Sequence, residues 1–94
     1  MTNSTWLITG GAGSFGKAFT KYLISHFNPK SIRIYSRDEF KHAQMYEEFE
    51  GVNDRLRFLI GDVRDAARLK LAVRGCDYVV HAAALKRVPD CEYN

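Results

Sequence analysis

The chain has 94 residues, 46% of them apolar and 27% charged, which allows one globular domain near the lower limit for a self-sufficient core. Its 14 basic and 11 acidic residues leave a scattered net charge of +3. That excess suits an anionic small ligand, and with no basic stripe interleaved with aromatics it argues against nucleic acid as a partner.

Targeting and redox signals are equally spare. Cys76 and Cys91 have neither metal-ligand spacing nor the density of a disulfide framework, so a reducing compartment is expected. No basic n-region precedes the first apolar run, and the densest apolar stretch, Tyr78 to Leu85, is broken by His81 and too short for a bilayer. These features read as a cytoplasmic protein without a membrane partner.

In chain order, residues 5–9 predict a buried strand. From Ser14 to about Phe27 the positions Phe15, Ala18, Phe19, Tyr22, Leu23 and Phe27 recur at helical spacing and predict one sticky face, stopped by Asn28-Pro29. Residues 31–36 alternate as a second strand. A second helix is expected from about Asp38 to Glu50, with Phe40, Ala43, Tyr46 (or Met45) and Phe49 inward and Gly51 as its stop. Residues 55–60 give a third strand. Asp65 is placed to cap a third helix that runs to Arg74 and ends at Gly75, and 77–81 form a fourth strand.

The order β-α-β-α-β-α-β with short connections calls for α/β architecture: a Rossmann-like, doubly wound parallel sheet of spatial order 3-2-1-4. The first two helices would cover one face and the third the other, with a ligand crevice between strands 1 and 4. By this reading the sheet is incomplete, and the chain is the amino-terminal part of a longer cofactor-binding enzyme domain.

The stretch between the first strand and first helix, Thr9-Gly10-Gly11-Ala12-Gly13-Ser14-Phe15-Gly16, carries the chemistry. Glycines 10, 13 and 16 satisfy G-x-x-G-x-x-G, and 11, 13 and 16 satisfy G-x-G-x-x-G. The first glycine permits a tight reversal, the middle one a close approach of backbone to phosphate, and Gly16 close packing of helix on strand. The helix then aims its unpaired N–H groups and the positive end of its dipole at a pyrophosphate.

About 20 residues on, the second strand ends in Ser36-Arg37-Asp38, where an adenosine ribose is read. An acid there accepts from the 2′-hydroxyl of NAD, whereas an arginine pairs with the 2′-phosphate of NADP. Arg37 with Lys41 at i+4 and the Ser36 hydroxyl favour NADP. The competing reading makes Ser36 and Glu39 a capping box and leaves Arg37 and Lys41 solvated. Asp62 and Val63, after the third strand, suit an adenine amino group and ring, or a plain turn. Ala82 to Ala84 would let a nicotinamide ribose pass, or simply make a tight strand exit. Lys86 at the crevice mouth is a candidate for cofactor or substrate phosphate, or a solvated lysine. His81 is expected as a packed core histidine, His26 and His42 on helix surfaces, and no His/Asp/Glu set has metal spacing.

The turn TGGAGSFG resembles the nucleotide-binding turn of the extended short-chain dehydrogenase/reductase superfamily. Together with SRDEFK (Ser36–Lys41), GDVRD (Gly61–Asp65) and HAAALK-x-VP-x-CEYN (His81–Asn94), it closely resembles the amino-terminal third of inverting UDP-N-acetylglucosamine 4,6-dehydratases. The resemblance covers essentially the whole chain. It implies a lyase of surface-polysaccharide biosynthesis with a tightly held NADP and a nucleotide-sugar substrate, UDP-N-acetylglucosamine. In that family sugar C4 is oxidised, water is lost across C5–C6, hydride returns to C6 and C5 is reprotonated from the opposite side.

The resemblance places the cofactor on Gly13, Ser14, Phe15, Gly16, Ser36, Arg37, Lys41, Asp62, Val63 and Ala82, with Lys86 contacting cofactor or substrate. Gly10 and Asp38 join them from the turn and ribose readings above. The family's catalytic acid, lysine and Tyr-x-x-x-Lys pair have no counterpart here, so no catalytic residue is assigned and the 94 residues alone are expected to be inactive. Retaining relatives carry an amino-terminal membrane region, and a first strand this close to Met1 fits the soluble inverting kind. The full-length protein is expected to be a homo-oligomer. A nucleotide-sugar 4-epimerase and a non-catalytic NADP-sensing regulator are the alternatives. With one sheet face covered by a single helix, the 94 residues alone should be molten or poorly soluble, and a sharp cooperative melt of the monomer would contradict this.

Overall fold

The computed structural model describes residues 3–10 and 12–82. Four strands, β1 (Thr5–Thr9), β2 (Ser31–Ser36), β3 (Leu56–Ile60) and β4 (Tyr78–His81), form one parallel sheet in the order β3-β2-β1-β4. Three helices connect them: α1 (Ser14–Phe27), α2 (Glu39–Glu48) and α3 (Ala66–Val73), with a 3-10 turn at Asn53–Arg55 leading into β3. The strand order and element sequence are those the pattern predicts.

The central strand explains the rest. β1 pairs with β2 on one side (Ile8 opposite Ile34) and with β4 on the other (Ile8 opposite Val80). Buried on both faces, it reads as an almost unbroken apolar run, as parallel strands do. Trp6 and Ile8 point into a cluster with Leu23, Ile32, Ile34, Met45 and Phe49, which α1 and α2 cover. Leu7 points the other way, into a smaller cluster with Tyr35 and Ala72 beneath α3. The crossover of α3 to the opposite face therefore occurs as expected. Arg33 on β2 fastens the end of α3, donating 2.6 Å hydrogen bonds to the carbonyls of Ala72 and Arg74.

Two helix faces differ from expectation. In α1 the fully buried positions are Gly16, Thr20 and Leu23, and the Thr20 hydroxyl is satisfied by the Gly16 carbonyl at 2.7 Å. Phe15, Ala18 and Tyr22 face outward, Phe19 and Phe27 pack partly buried against the core as expected, and rings stack along the helix, Phe15 on Phe19 and Tyr22 on His26. In α2 the inward residues are His42 and Met45, followed by the buried cap residue Phe49 as expected, whereas Phe40 is 71% exposed and Ala43 and Tyr46 also face solvent. Both α2 stripes have helical spacing, so spacing alone could not choose between them. The chosen one lets Met45 and Phe49 fill the cluster under β2.

Histidine placements change with these faces. His26 is exposed as expected, but His42 is buried rather than on the surface. His81 is exposed on β4 rather than packed in a core, and its Nδ1 lies 2.9 Å from the Thr9 hydroxyl.

Ile34→Ala, which empties a fully buried position in a central strand, should cost roughly 2–5 kcal/mol in chemical denaturation of the full-length chain. Phe40→Ala should cost no more than about 0.5 kcal/mol. Comparable losses at the two positions would contradict the outward phase of Phe40.

Candidate functional site

The turn after β1 is built on backbone. Gly10 takes a left-handed φ of +69°, where a side chain would be strained. Its N–H donates to the Tyr35 carbonyl at 2.8 Å, locking the turn to the end of β2, and Gly13 N–H donates back to the Gly10 carbonyl at 3.2 Å. Gly13 is the cap residue of α1 and has no side chain with which to satisfy the helix's first N–H groups. The other two helices are served differently: the Asp38 carboxylate accepts from Lys41 N–H at 3.0 Å and the Asp65 carboxylate from Arg68 N–H at 3.1 Å.

A cleft of about 840 Å³ opens at the carboxyl ends of β1, β2 and β3. Its lining combines Gly10, Ala12 and Gly13 from the turn with Tyr35 to Glu39 and Lys41 from the β2–α2 junction, and Gly61 to Arg64 after β3. Eight of the sequence-predicted residues thus meet around one space: Gly10, Gly13, Ser36, Arg37, Asp38, Lys41, Asp62 and Val63. Ser14, Phe15, Gly16 and Ala82 lie off this lining. Ser14 and Phe15 are exposed on the first turn of α1, Gly16 is buried, and Ala82 is buried in the same apolar cluster as Ala12. Gly11, Ala83, Ala84 and Lys86 lie outside the described residues.

The capping-box reading does not hold, because Asp38 rather than Ser36 caps α2. Ser36 Oγ instead lies 2.7 Å from His42 Nε2 and accepts from Asp38 N–H at 3.4 Å. Arg37 is well exposed on the cleft and sits 3.6 Å from the Asp62 carboxylate. Asp62 is engaged within its own turn, accepting from Arg64 N–H and from the Arg64 guanidinium, each at 2.8 Å. These contacts, Arg64 foremost and Arg37 adding its charge, hold the Asp62 carboxyl down to a pKa of about 2. The wall therefore carries exposed cations at Arg37 and Arg64, with the Asp62 carboxylate between them already matched. Val63 leaves an apolar surface open beside it.

Tyr35, Gly61 and Arg64 were not among the predicted site residues, although the last two stand in the GDVRD motif, yet they shape the floor. The buried Tyr35 hydroxyl donates to the Asp62 carbonyl at 3.0 Å, and Gly61 N–H donates to the Ser36 carbonyl at 3.0 Å. A Cβ on Gly61 would stand 2.6 Å from Tyr35 Cε1, an overlap that only glycine avoids. Burial, then the nearby Asp65 carboxylate, raises the Tyr35 pKa, so its hydroxyl stays a donor. A glycine directly before Asp62 and a basic residue two places after it were the available signals. Among the described residues, no group of His, Cys, Asp or Glu is arranged to hold a metal, and no helix is long and apolar enough to cross a membrane.

A glycine turn joining the central parallel strand to its helix, with helices on both sheet faces, defines a Rossmann-like α/β fold. The chain belongs to the polysaccharide biosynthesis protein family, which it matches over residues 6–94. It is 53% identical over 88 residues to the UDP-N-acetylglucosamine 4,6-dehydratase (inverting) of Campylobacter jejuni, covering 94% of this chain and 26% of that protein. It is also 49% identical over 94 residues to the UDP-glucose 4-epimerase of Rickettsia akari, covering 97% of this chain and 27% of that one. Among solved structures, Pen from Bacillus thuringiensis superposes with a TM-score of 0.83 at 40% identity, covering 99% of this chain and 29% of that chain. The chain thus spans about a quarter of the length of the curated relatives it matches.

A carboxyl group with a lowered pKa contributes stability that is present above its ordinary value of 3.8 and is lost as pH falls through about 2. NMR titration should therefore give Asp62 a midpoint near 2, and Arg64→Ala should move it up toward the ordinary value. An unchanged midpoint in that variant would contradict the assigned cause.

Proposed function

We propose that the chain is the NADP-binding part of a C5-inverting nucleotide-sugar 4,6-dehydratase acting on UDP-N-acetylglucosamine, in the cytoplasm and as a homo-oligomer. The observation that carries this reading is the single cleft joining the α1 amino terminus, free of any side-chain cap, to Arg37 and Lys41 at the end of β2. The 53% identity to a dehydratase supports the choice of reaction over the shared quarter of that enzyme.

The residues present fit the cofactor. A cleft of about 840 Å³ is within the usual range for such ligands, with backbone donors at one end and cations at the other. The N–H groups of Gly13 to Gly16 would bind the pyrophosphate through hydrogen bonds and the helix dipole. Arg37 and Lys41 would hold the 2′-phosphate, and Ser36 would add a hydroxyl donor. Val63 would pack on the adenine, while Asp62, steadied by Arg64, presents its remaining acceptor capacity to the amino group. Asp38 serves chiefly by capping the helix that carries Lys41. Ala82 would lie near the nicotinamide ribose and Lys86 near the substrate. When bound, NADP would supply a reversible hydride carrier that takes hydride from sugar C4 and returns it to C6. The proton-transfer groups for elimination would come from other parts of the full-length enzyme.

The 49% identity to a UDP-glucose 4-epimerase favours a second reading, since epimerisation shares the oxidation at C4 without loss of water. Product analysis on UDP-N-acetylglucosamine separates them. A 4-keto-6-deoxy sugar is expected, and a C4 epimer alone would exclude the dehydratase. In the same full-length enzyme, Arg37→Ala should weaken NADP by about 1–3 kcal/mol while changing NAD much less. Equal losses for the two would contradict the phosphate role.

A further inference from the structure

His42 is the one buried group of this region that the cofactor reading leaves without a task. It lies inward on α2, 5% exposed, with its ring 5.1 Å from Phe58. Its Nε2 is 2.7 Å from Ser36 Oγ, and its buried Nδ1 has no hydrogen-bond partner among the described residues. We propose that His42 is a positioning residue which, by donating from Nε2 to Ser36, turns the Ser36 hydroxyl into a dedicated donor facing the cleft. There it would select a ribose carrying a 2′-phosphate. This inference rests on the proposal that the cleft takes NADP.

The argument is one of proton counting. Burial holds the imidazole neutral against the opposing pull of the Asp38 and Glu39 carboxylates, so the ring carries one proton. Placed on Nδ1, that proton would be a buried N–H with no acceptor, the rarer and costlier kind of orphan. Ser36 would then spend its own proton on Nε2. Placed on Nε2, where a neutral imidazole intrinsically prefers it, the proton is donated to Ser36 Oγ. The oxygen then accepts from His42 Nε2–H and, more weakly, from Asp38 N–H at 3.4 Å. Both acceptor positions are filled, and Ser36, which lines the cleft, has only its hydroxyl proton to offer a ligand. A hydroxyl fixed as donor gains most from an anionic oxygen, so a phosphate profits more than a ribose hydroxyl.

Two measurements on the full-length protein test this. Nitrogen NMR of the imidazole should find the proton of His42 on Nε2, and a proton on Nδ1 would overturn the proposal without any substitution. Binding titrations should show His42→Phe weakening NADP by about tenfold, with NAD changed less than about twofold. His42→Gln, whose side-chain amide can donate from near the Nε2 position, should keep the wild-type preference. An equal loss for both coenzymes in His42→Phe would reduce His42 to a packing residue and overturn the inference. Should His42→Phe fail to fold, the proton position decides alone. Arg37→Ala separates the two levels: if it leaves NADP binding intact the cofactor reading itself fails, whereas if it is selective and His42→Phe is not, only the role of His42 fails.

Discussion

One backbone hydrogen bond governs the carboxyl end of this sheet: Gly10 N–H to the Tyr35 carbonyl at 2.8 Å. It holds the turn after β1 against the last residues of β2. The turn residues Gly10, Ala12 and Gly13 and the Ser36–Lys41 segment are thereby held around the same cleft. The bond continues the β1–β2 ladder in register, and the left-handed φ of Gly10 turns the chain out of the strand directly after it. From Tyr35 the restraint passes on, since its hydroxyl holds the Asp62 carbonyl and its ring leaves room only for glycine at 61. Three loops from three strands are thus fixed relative to one another by a few backbone groups and one buried phenol.

Electrostatically the cleft is made of donors. Helix α1 contributes N–H groups that no side chain caps, and the β2–α2 junction contributes Arg37 and Lys41. Two of the three acids in the lining are already committed: Asp38 caps α2, and Asp62 is gripped by Arg64 with Arg37 beside it. A site of fixed donors in which Asp38 and Asp62 are already engaged favours an anion with spread charge, and a dinucleotide carries several such groups along its length.

Much of this arrangement was legible in the residues. Strand order and crossovers follow from four apolar runs, short connections and the spacing of Gly10, Gly13 and Gly16, but the cleft among the described residues lies along β1, β2 and β3 and not between β1 and β4 as expected. The other parts that were not legible share a cause. Helix α2 carries two stripes of helical spacing, and only the volume left beneath β2 decides that Met45 and Phe49 turn inward while Phe40 does not. With that rotation His42 moves from the surface to the interior and meets Ser36, a contact no local pattern announces. The cap of α2 shifted for a similar reason. Ser36 is the final residue of β2 and its oxygen is drawn to His42, which leaves Asp38, two residues on, to serve the helix. Tyr35 was legible as a strand residue, but its hydroxyl contact depends on how β3 ends beside it.

The claim on which the account rests is that the backbone between β1 and α1 grips linked phosphates. A crystal structure of the full-length protein with NADP tests it most directly. The account predicts the pyrophosphate within hydrogen-bond distance of the N–H groups at the start of α1, and the 2′-phosphate against Arg37. Coenzyme bound elsewhere, with that turn making no phosphate contact, would contradict it.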